Sequence, residues 1–169
     1  MTRTARVSCA AIVALTAGAA AGEKITLSVG GTTFNNPVGI DYHEPTDTVV
    51  VSVNYPTGSP LTFERILQNG NHVPFSNVSG YSDEVKIATV RSGNVGGFST
   101  GELFVGNGID GEIARISADG LTVQNTWVSL PGAGNGLMRG SLHVDRTGSW
   151  GGDLVTCTTN GEVWRVNNA

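Results

Sequence analysis

The chain has 169 residues, a length typical of one domain, with 24 glycines, 14% charged residues and a formal net charge of −4. No cluster of basic residues occurs along it, which argues against nucleic acid or an anionic membrane surface as a partner. High glycine content together with many short apolar runs favours an all-β protein, because tight turns use Gly, Asn and Asp.

The first 21 residues have the three-part pattern of a secretory signal peptide. Arg3 and Arg6 give a basic start, residues 7–15 are apolar, and residues 17–21 are small. The apolar run is too short to cross a bilayer comfortably. We therefore predict a secreted or periplasmic protein, with an alanine-rich terminal helix as the alternative. Cleavage would remove two arginines, which changes the formal charge from −4 to −6.

Short apolar runs separated by turn residues make up the chain after residue 35. Each of three units has a first strand, a second strand whose apolar run predicts burial, and a third strand that carries an arginine. Two units have a fourth strand, and Pro74 predicts that the first of these lies at a sheet edge, because proline cannot donate to a ladder. The predicted strands cover residues 39–42, 49–53, 63–66 and 72–75; 85–90, 103–106, 113–116 and 123–128; and 141–144, 154–157 and 163–166.

The arginine-bearing strands recur at a fixed spacing. Arg65, Arg115 and Arg165 are fifty residues apart and stand among similar apolar neighbours. A period near fifty is typical of a repeat architecture. Asn160 and Gly161, between the last two strands, predict a type I′ turn, which needs positive φ at both central residues.

Four antiparallel strands per repeated unit predict the blades of a β-propeller. One blade has two apolar faces, so each must pack on its neighbours. We predict an all-β fold of about three four-stranded antiparallel blades in an incomplete ring, at about residues 36–80, 81–132 and 133–169. A β-sandwich or a β-helix is the alternative.

Closed propellers have four to eight blades, so three blades indicate either part of a larger propeller or a chain that self-assembles to close the ring. The third unit has no predicted fourth strand. In the N-terminal segment 22–35, residues 24–29 alternate between polar and apolar. They predict either the missing outer strand of the last blade or an additional edge strand.

Parts of the second and third units resemble the blade core of NHL-type and related six-bladed propellers. This superfamily includes streptogramin-lyase-like and gluconolactonase-like proteins. The resemblance covers about residues 36–169 and implies blade architecture, while the histidine and acidic sets of those enzymes have no match in this chain. A divalent metal such as calcium is implied only for a complete ring. The stretches that carry the resemblance are residues 101–107, 110–116, 119–120, 152–155 and 159–166.

Candidate ligand-binding residues follow from the propeller architecture. In propellers the ligand face consists of the loops between second and third strands and the loops between blades. A tryptophan in a glycine-rich turn is a further indication of a binding surface. On these grounds the candidates are Tyr55, Asn107, Asp110, Arg139, Asn160 and Trp150.

Several other residues favour structural roles. His43 and His143 end the first strands of their units, which predicts a shared environment and not a shared metal. The repeated arginines predict ion pairs with a carboxylate of the adjacent blade, and the nearby candidates are Glu64, Glu112 and Glu162. We predict that the Asp145 carboxylate accepts hydrogen bonds from the backbone of its own turn. We predict that Cys157 is buried as a small apolar side chain and is not a reactive thiol.

The sequence therefore predicts an exported β-propeller binding or interaction module without catalysis of its own. Its expected partner is a small polar ligand or a protein, with no cofactor, no nucleic acid and no membrane span. The alternative is part of a metal-dependent lyase or lactonase-type propeller enzyme.

Overall fold

The structure, a computed structural model, describes residues 36–53, 62–77, 81, 86–132, 136 and 141–169. The predicted signal peptide (1–21) and segment 22–35 lie outside the described residues. The described part has one 3₁₀ turn at Glu44–Thr46 and no α-helix, and it contains no helix long and apolar enough to cross a bilayer. The strands are β1 (Ile40–His43), β2 (Thr48–Val53), β3 (Thr62–Ile66), β4 (His72–Asn77), β5 (Ile87–Thr89), β6 (Leu103–Gly106), β7 (Glu112–Ile116), β8 (Val123–Ser129), β9 (Ser141–Val144), β10 (Leu154–Cys157) and β11 (Val163–Val166).

These strands form three antiparallel sheets, each a blade in which neighbouring strands follow chain order. The first sheet is β1-β2-β3-β4, the second is β5-β6-β7-β8, and the third is β9-β10-β11. The predicted all-β fold of three blades is confirmed. The third sheet has three strands among the described residues, and the three sheets do not close into a ring.

Pro74 lies in β4, the edge strand of the first sheet, as its missing N–H requires. It stands opposite Glu64, directly beside a register shift between Phe63 and Glu64. A bulge of this kind allows the ladder to continue past a residue that cannot donate.

The fifty-residue spacing corresponds to one structural position in each sheet. Arg65 pairs with Val50, Arg115 with Phe104, and Arg165 with Val155. The three sheets can therefore be superimposed residue by residue along their first three strands.

Two apolar clusters hold the sheets together face to face. Val50 and Phe63 of the first sheet pack with Ile87 and Leu103 of the second. Phe104 and Ile113 on the other face of the second sheet pack with Leu142 and Leu154 of the third. The first strands also approach one another, β1 beside β5 and β5 beside β9. The first strands therefore form the inner side of the array.

In every sheet, a residue with positive φ occupies the same register position near the start of the second strand. Asp47, Gly101 and Gly152 have φ of 49°, 90° and 76°. A Cβ at Gly101 would lie 2.5 Å from Cγ of Pro45, and one at Gly152 would lie 2.3 Å from the backbone N of Gly96. Both glycines face the preceding sheet, so they permit the positive φ and the close approach together.

The predicted type I′ turn at Asn160 and Gly161 is wrong. Only Gly161 has positive φ, at 82°, and its N–H donates to the carbonyl of Thr158 (3.0 Å), while the Thr158 N–H donates to Glu162 (3.0 Å). The connection is a three-residue loop, a type I turn followed by a left-handed glycine. Gly70 repeats this arrangement in the β3–β4 connection, whereas the β7–β8 connection, which contains Gly120, is one residue longer, because the Ser117 N–H donates to Thr122.

Replacing Gly152 and Gly161 separately distinguishes backbone strain from sheet packing. Gly161→Ala meets no atom within 4 Å, so it should cost only the strain of a left-handed alanine, about 1–2 kcal/mol. Gly152→Ala should cost about 1–3 kcal/mol more, because its Cβ collides with backbone of the second sheet. Urea unfolding of both variants measures the difference. Equal losses would show that the two sheets do not depend on this contact.

Candidate ligand site at the inner strands

The inner strands of all three sheets meet at one carboxylate, that of Asp41 in β1. From the second sheet, Thr89 donates its backbone N–H (2.9 Å) and its hydroxyl (2.7 Å) to Oδ2. The Tyr42 N–H donates to Oδ1 at 2.8 Å. A strand-bound carboxylate is therefore held by the neighbouring strand as well as by its own.

Two arginines bring the second and third sheets to the same carboxylate. Nη2 of Arg91 donates to Oδ1 at 3.2 Å, and Nη2 of Arg146 lies 3.4 Å from Oδ1 and 3.3 Å from Oδ2. Arg91 also stacks over the ring of Tyr42, with its guanidinium carbon 4.4 Å from the centroid. Asp41 therefore links three consecutive blades.

The two arginines are register equivalents, each lying just beyond the end of its first strand. The first sheet has Glu44 at this position, and its carboxylate accepts from the N–H (2.7 Å) and hydroxyl (2.5 Å) of Ser92 in the second sheet. One ring of equivalent positions therefore carries a carboxylate and two guanidinium groups, and each contacts a sheet other than its own.

The electrostatics of Asp41 favour its charged form. Burial raises its pKa, but the hydrogen bonds from Thr89 and Tyr42 and the charge of Arg146 lower it by more, so the pKa lies below its ordinary value. Asp41 and Arg91 are largely covered, with side chains 18% and 22% exposed, whereas Arg146 is 44% exposed. Within the described residues, Nη2 is the only donor of Arg146 in a hydrogen bond. This guanidinium can therefore bind a further oxygen anion while it remains held by Asp41.

The sequence-predicted candidates are divided between the two ends of the sheets. Asn107, Asp110 and Asn160 lie in the β6–β7 and β10–β11 connections, at the end opposite Asp41. Trp150 is 59% exposed and lies in the β9–β10 connection, at the same end as Arg146. The structure thus separates Trp150 from the other three. Tyr55 and Arg139 lie outside the described residues.

Asn107 has a structural position in its turn. It is 3% exposed, its amide donates to Glu112 (2.9 Å) and to the carbonyl of Asn125 (2.7 Å), and its Oδ1 accepts from Ile109 N–H (3.0 Å). Its side chain is therefore occupied in joining the β6–β7 turn to β7 and β8. Asp110 and Asn160 are exposed.

Two of the three repeated arginines, Arg115 and Arg165, pair with carboxylates of their own sheets, so for these two the predicted inter-blade partners are wrong. Arg115 binds both oxygens of Glu102 at 2.7 Å, and Arg165 bonds Asp153. Both acids directly precede the second strand, and the first sheet has Thr48 there. Arg115 does reach the third sheet through Asn168, at 2.9 Å.

The three glutamates proposed as partners of the arginines have other contacts. Glu64 bonds His72, Glu112 accepts from Asn107 and Thr126, and Glu162 accepts from the indole N–H of Trp164. Each contact is local to its sheet. Alternation along a strand places these glutamates on the face opposite the arginine or beyond its reach.

The two first-strand histidines do not share an environment. His43 is the register equivalent of Asp145, while His143 is the equivalent of Asp41. His43 is 0% exposed and contacts Thr46 Oγ1 (2.7 Å) and the Gly101 carbonyl (3.1 Å), whereas His143 is exposed. The sequence prediction failed because the two histidines lie two positions apart in register, although each is near the end of its first strand.

Asp145 organises its own turn, as predicted. Its carboxylate accepts from the N–H of Thr147 (2.9 Å), Trp150 (2.7 Å) and Gly152 (3.1 Å). Burial raises its pKa, but these bonds lower it far more, so the pKa lies well below its ordinary value. Across the described ranges, no three His, Cys, Asp or Glu side chains are grouped as metal ligands would be. Cys157 is half-buried and not fully buried.

Replacing Asp41 with asparagine tests its role in joining the sheets. Asp41→Asn keeps the shape but leaves Arg91 and Arg146 without a counter-charge, so the free energy of unfolding should fall by about 1–3 kcal/mol. Because folding lowers the pKa of Asp41, its carboxylate should stabilise the wild-type fold above about pH 4, and this stabilisation should disappear as the pH falls further. Denaturant unfolding at pH 7 and pH 3 measures both. Asp110→Asn, in an exposed turn, is the control and should change little.

The buried His43 predicts a loss of stability in mild acid. Burial lowers the pKa of His43, so the unfolded chain takes up the proton first as the pH falls below about 6.5. The free energy of unfolding should then decrease by at most about 1.4 kcal/mol per pH unit from this group. Thermal unfolding between pH 8 and pH 5 should show a shallower slope for His43→Gln than for the wild-type chain. An unchanged slope for His43→Gln would contradict the assignment.

Comparison with known proteins gave no further guide to this site. Neither a protein-family model, nor a curated protein, nor a solved structure matches the chain. The resemblance to NHL-type propellers stays a prediction from the sequence. The site is therefore interpreted from its own geometry.

Proposed function

We propose that this chain is an exported β-propeller module that binds a small anionic, oxygen-rich ligand and performs no catalysis of its own. The observation that carries the proposal is the meeting of Asp41, Arg91 and Arg146, from three consecutive sheets, at the inner strands. Export is supported by the signal-peptide pattern of residues 1–21.

The chemistry of the arginines determines the ligand class. Asp41 and Glu44 together balance the two permanently charged guanidinium groups, so what favours an anionic ligand is the set of Arg146 donors that bond no described residue, and not an excess of charge. Arg146 is the more open of the two, and its planar group can pair with two oxygens of a carboxylate. Arg91 is fixed by Asp41 and by the ring of Tyr42. The site thus combines a rigid cation with an accessible one, a combination that favours a carboxylate ligand.

The position of Trp150 supports the same end of the molecule. Its backbone N–H donates to the carboxylate of Asp145, the residue that precedes Arg146, and its side chain is 59% exposed. An exposed indole can stack on the apolar face of a sugar ring, and this one lies in the same connection as Arg146. A uronic acid, which has both a carboxylate and such a face, therefore suits this surface better than a neutral sugar does.

Titration calorimetry with glucuronate, citrate and glucose tests the ligand class. We expect binding of glucuronate or citrate and none of glucose at the same concentration. Arg146→Gln should weaken binding at least about tenfold, the value of one charge-assisted hydrogen bond. Arg165→Gln is the matched control. This arginine is also partly exposed, but it lies on β11, the outer strand of the third sheet, where it is bonded to Asp153.

Two results would contradict the proposal. Binding that survives Arg146→Gln but is lost in Asn160→Ala would place the ligand at the opposite end of the sheets, as the loop-based sequence prediction has it. Chemical conversion of a bound ligand, followed by NMR of the ligand over hours, would contradict the absence of catalysis.

A further inference from the structure

Arg65, the first of the three repeated arginines, lacks the carboxylate that its register equivalents have. In the second and third sheets the equivalent arginines bind Glu102 and Asp153. The first sheet has the uncharged Thr48 at that register position. Among the described residues Arg65 has no ion-pair partner, and its buried Nε has no hydrogen-bond partner. A guanidinium is permanently charged, so the first sheet holds a cation without its counter-charge.

The surroundings of Arg65 belong to the junction between the first and second sheets. It stands opposite Val50, whose side chain is 0% exposed in the apolar cluster between these sheets, and residues opposite each other in a ladder share a face. Burial lowers the pKa of His43, and the charge of Arg65 lowers it further, which places the guanidinium near this imidazole. The absence of a counter-charge therefore does not depend on what covers the outward faces of the first and third sheets.

The side chain of Thr48 does not replace the missing carboxylate. Nε2 of His43 contacts the carbonyl of Gly101 at 3.1 Å, so Nε2 carries the proton of the neutral ring and Nδ1 is an acceptor. The hydroxyl of Thr46 then donates to Nδ1 at 2.7 Å and accepts from the hydroxyl of Thr48 at 2.7 Å. These polar groups satisfy one another and leave the guanidinium of Arg65 unpaired.

We propose that Arg65 binds a small carboxylate, which occupies the place that the carboxylates of Glu102 and Asp153 have in the other two sheets. The second sheet gives the expected contact, because both oxygens of Glu102 accept from Nη2 of Arg115 at 2.7 Å. The terminal nitrogens of Arg65 bond no residue in the described part of the chain, and this side chain is half-buried, so solvent reaches it. Acetate has the terminal atoms of a glutamate side chain and is therefore the simplest ligand of this class. This site lies on a third strand and does not rest on the proposed function of the inner strands.

NMR of the arginine Nε–H groups during addition of acetate tests the proposal directly. The signal of Arg65, assigned by its absence in Arg65→Gln, should shift and saturate with a dissociation constant on the order of 10 mM, as one charge-assisted pair predicts. Sodium chloride at the same ionic strength should leave this signal in place. A signal that acetate does not shift would overturn the proposal.

Two variants of Thr48 test whether the vacant partner is a carboxylate. Thr48→Glu supplies one from within the chain, and Thr48→Gln is the matched control of the same size without the charge. Thr48→Glu should have the higher urea midpoint and should raise the acetate dissociation constant at Arg65 at least about tenfold, because the tethered carboxylate competes for the same donors. Thr48→Gln should keep the acetate response of the wild-type chain. Equal urea midpoints and equal acetate responses in the two variants would contradict the register argument.

Urea unfolding in the Arg146→Gln background separates this site from the proposed ligand site. Acetate should raise the urea midpoint of Arg146→Gln above its value in chloride, because a ligand of the folded state stabilises it. The added substitution Arg65→Gln should abolish that rise, and any rise that remains measures the general effect of the salt. An equal rise with and without Arg65→Gln would overturn the Arg65 site and leave the proposed function untouched. A response of the wild-type chain that Arg146→Gln alone removes would have the same meaning and would support the inner-strand site instead.

Discussion

The arrangement of the three sheets depends on Asp41. A carboxylate in the inner strand of the first sheet accepts hydrogen bonds from Thr89 of the second sheet and is paired with Arg91 and Arg146 of the second and third. Apolar faces alone would allow the sheets to slide, because hydrophobic contact is not directional. Hydrogen bonds and ion pairs at one point fix the inner strands together, so the sheets spread outward from that side as blades.

Close packing of backbone imposes a second constraint on the same end of the molecule. Gly101 and Gly152 approach the preceding sheet where no side chain fits, and both have positive φ. Asp47, the equivalent residue of the first sheet, adopts the same backbone with a side chain. The repeat is therefore a repeat of backbone geometry, and its residues vary with what each sheet faces.

The proposed ligand site depends on the convergence of the inner strands. Three equivalent positions there carry Glu44, Arg91 and Arg146, which brings charged side chains of all three sheets together.

The sequence by itself determined the strands, their grouping into three units and the edge position of Pro74, because alternation, turn residues and the fifty-residue period are local patterns. Only the tertiary structure decided which residues meet. The pairing of Arg115 with Glu102, the burial of His43 beside Gly101 and the joining of Asp41 to Arg146 involve residues brought together by sheet pairing and packing. Strand register also separated His43 from His143, which lie two positions apart. A register difference of two residues leaves the sequence pattern unchanged, yet it alters which side chains contact one another across sheets.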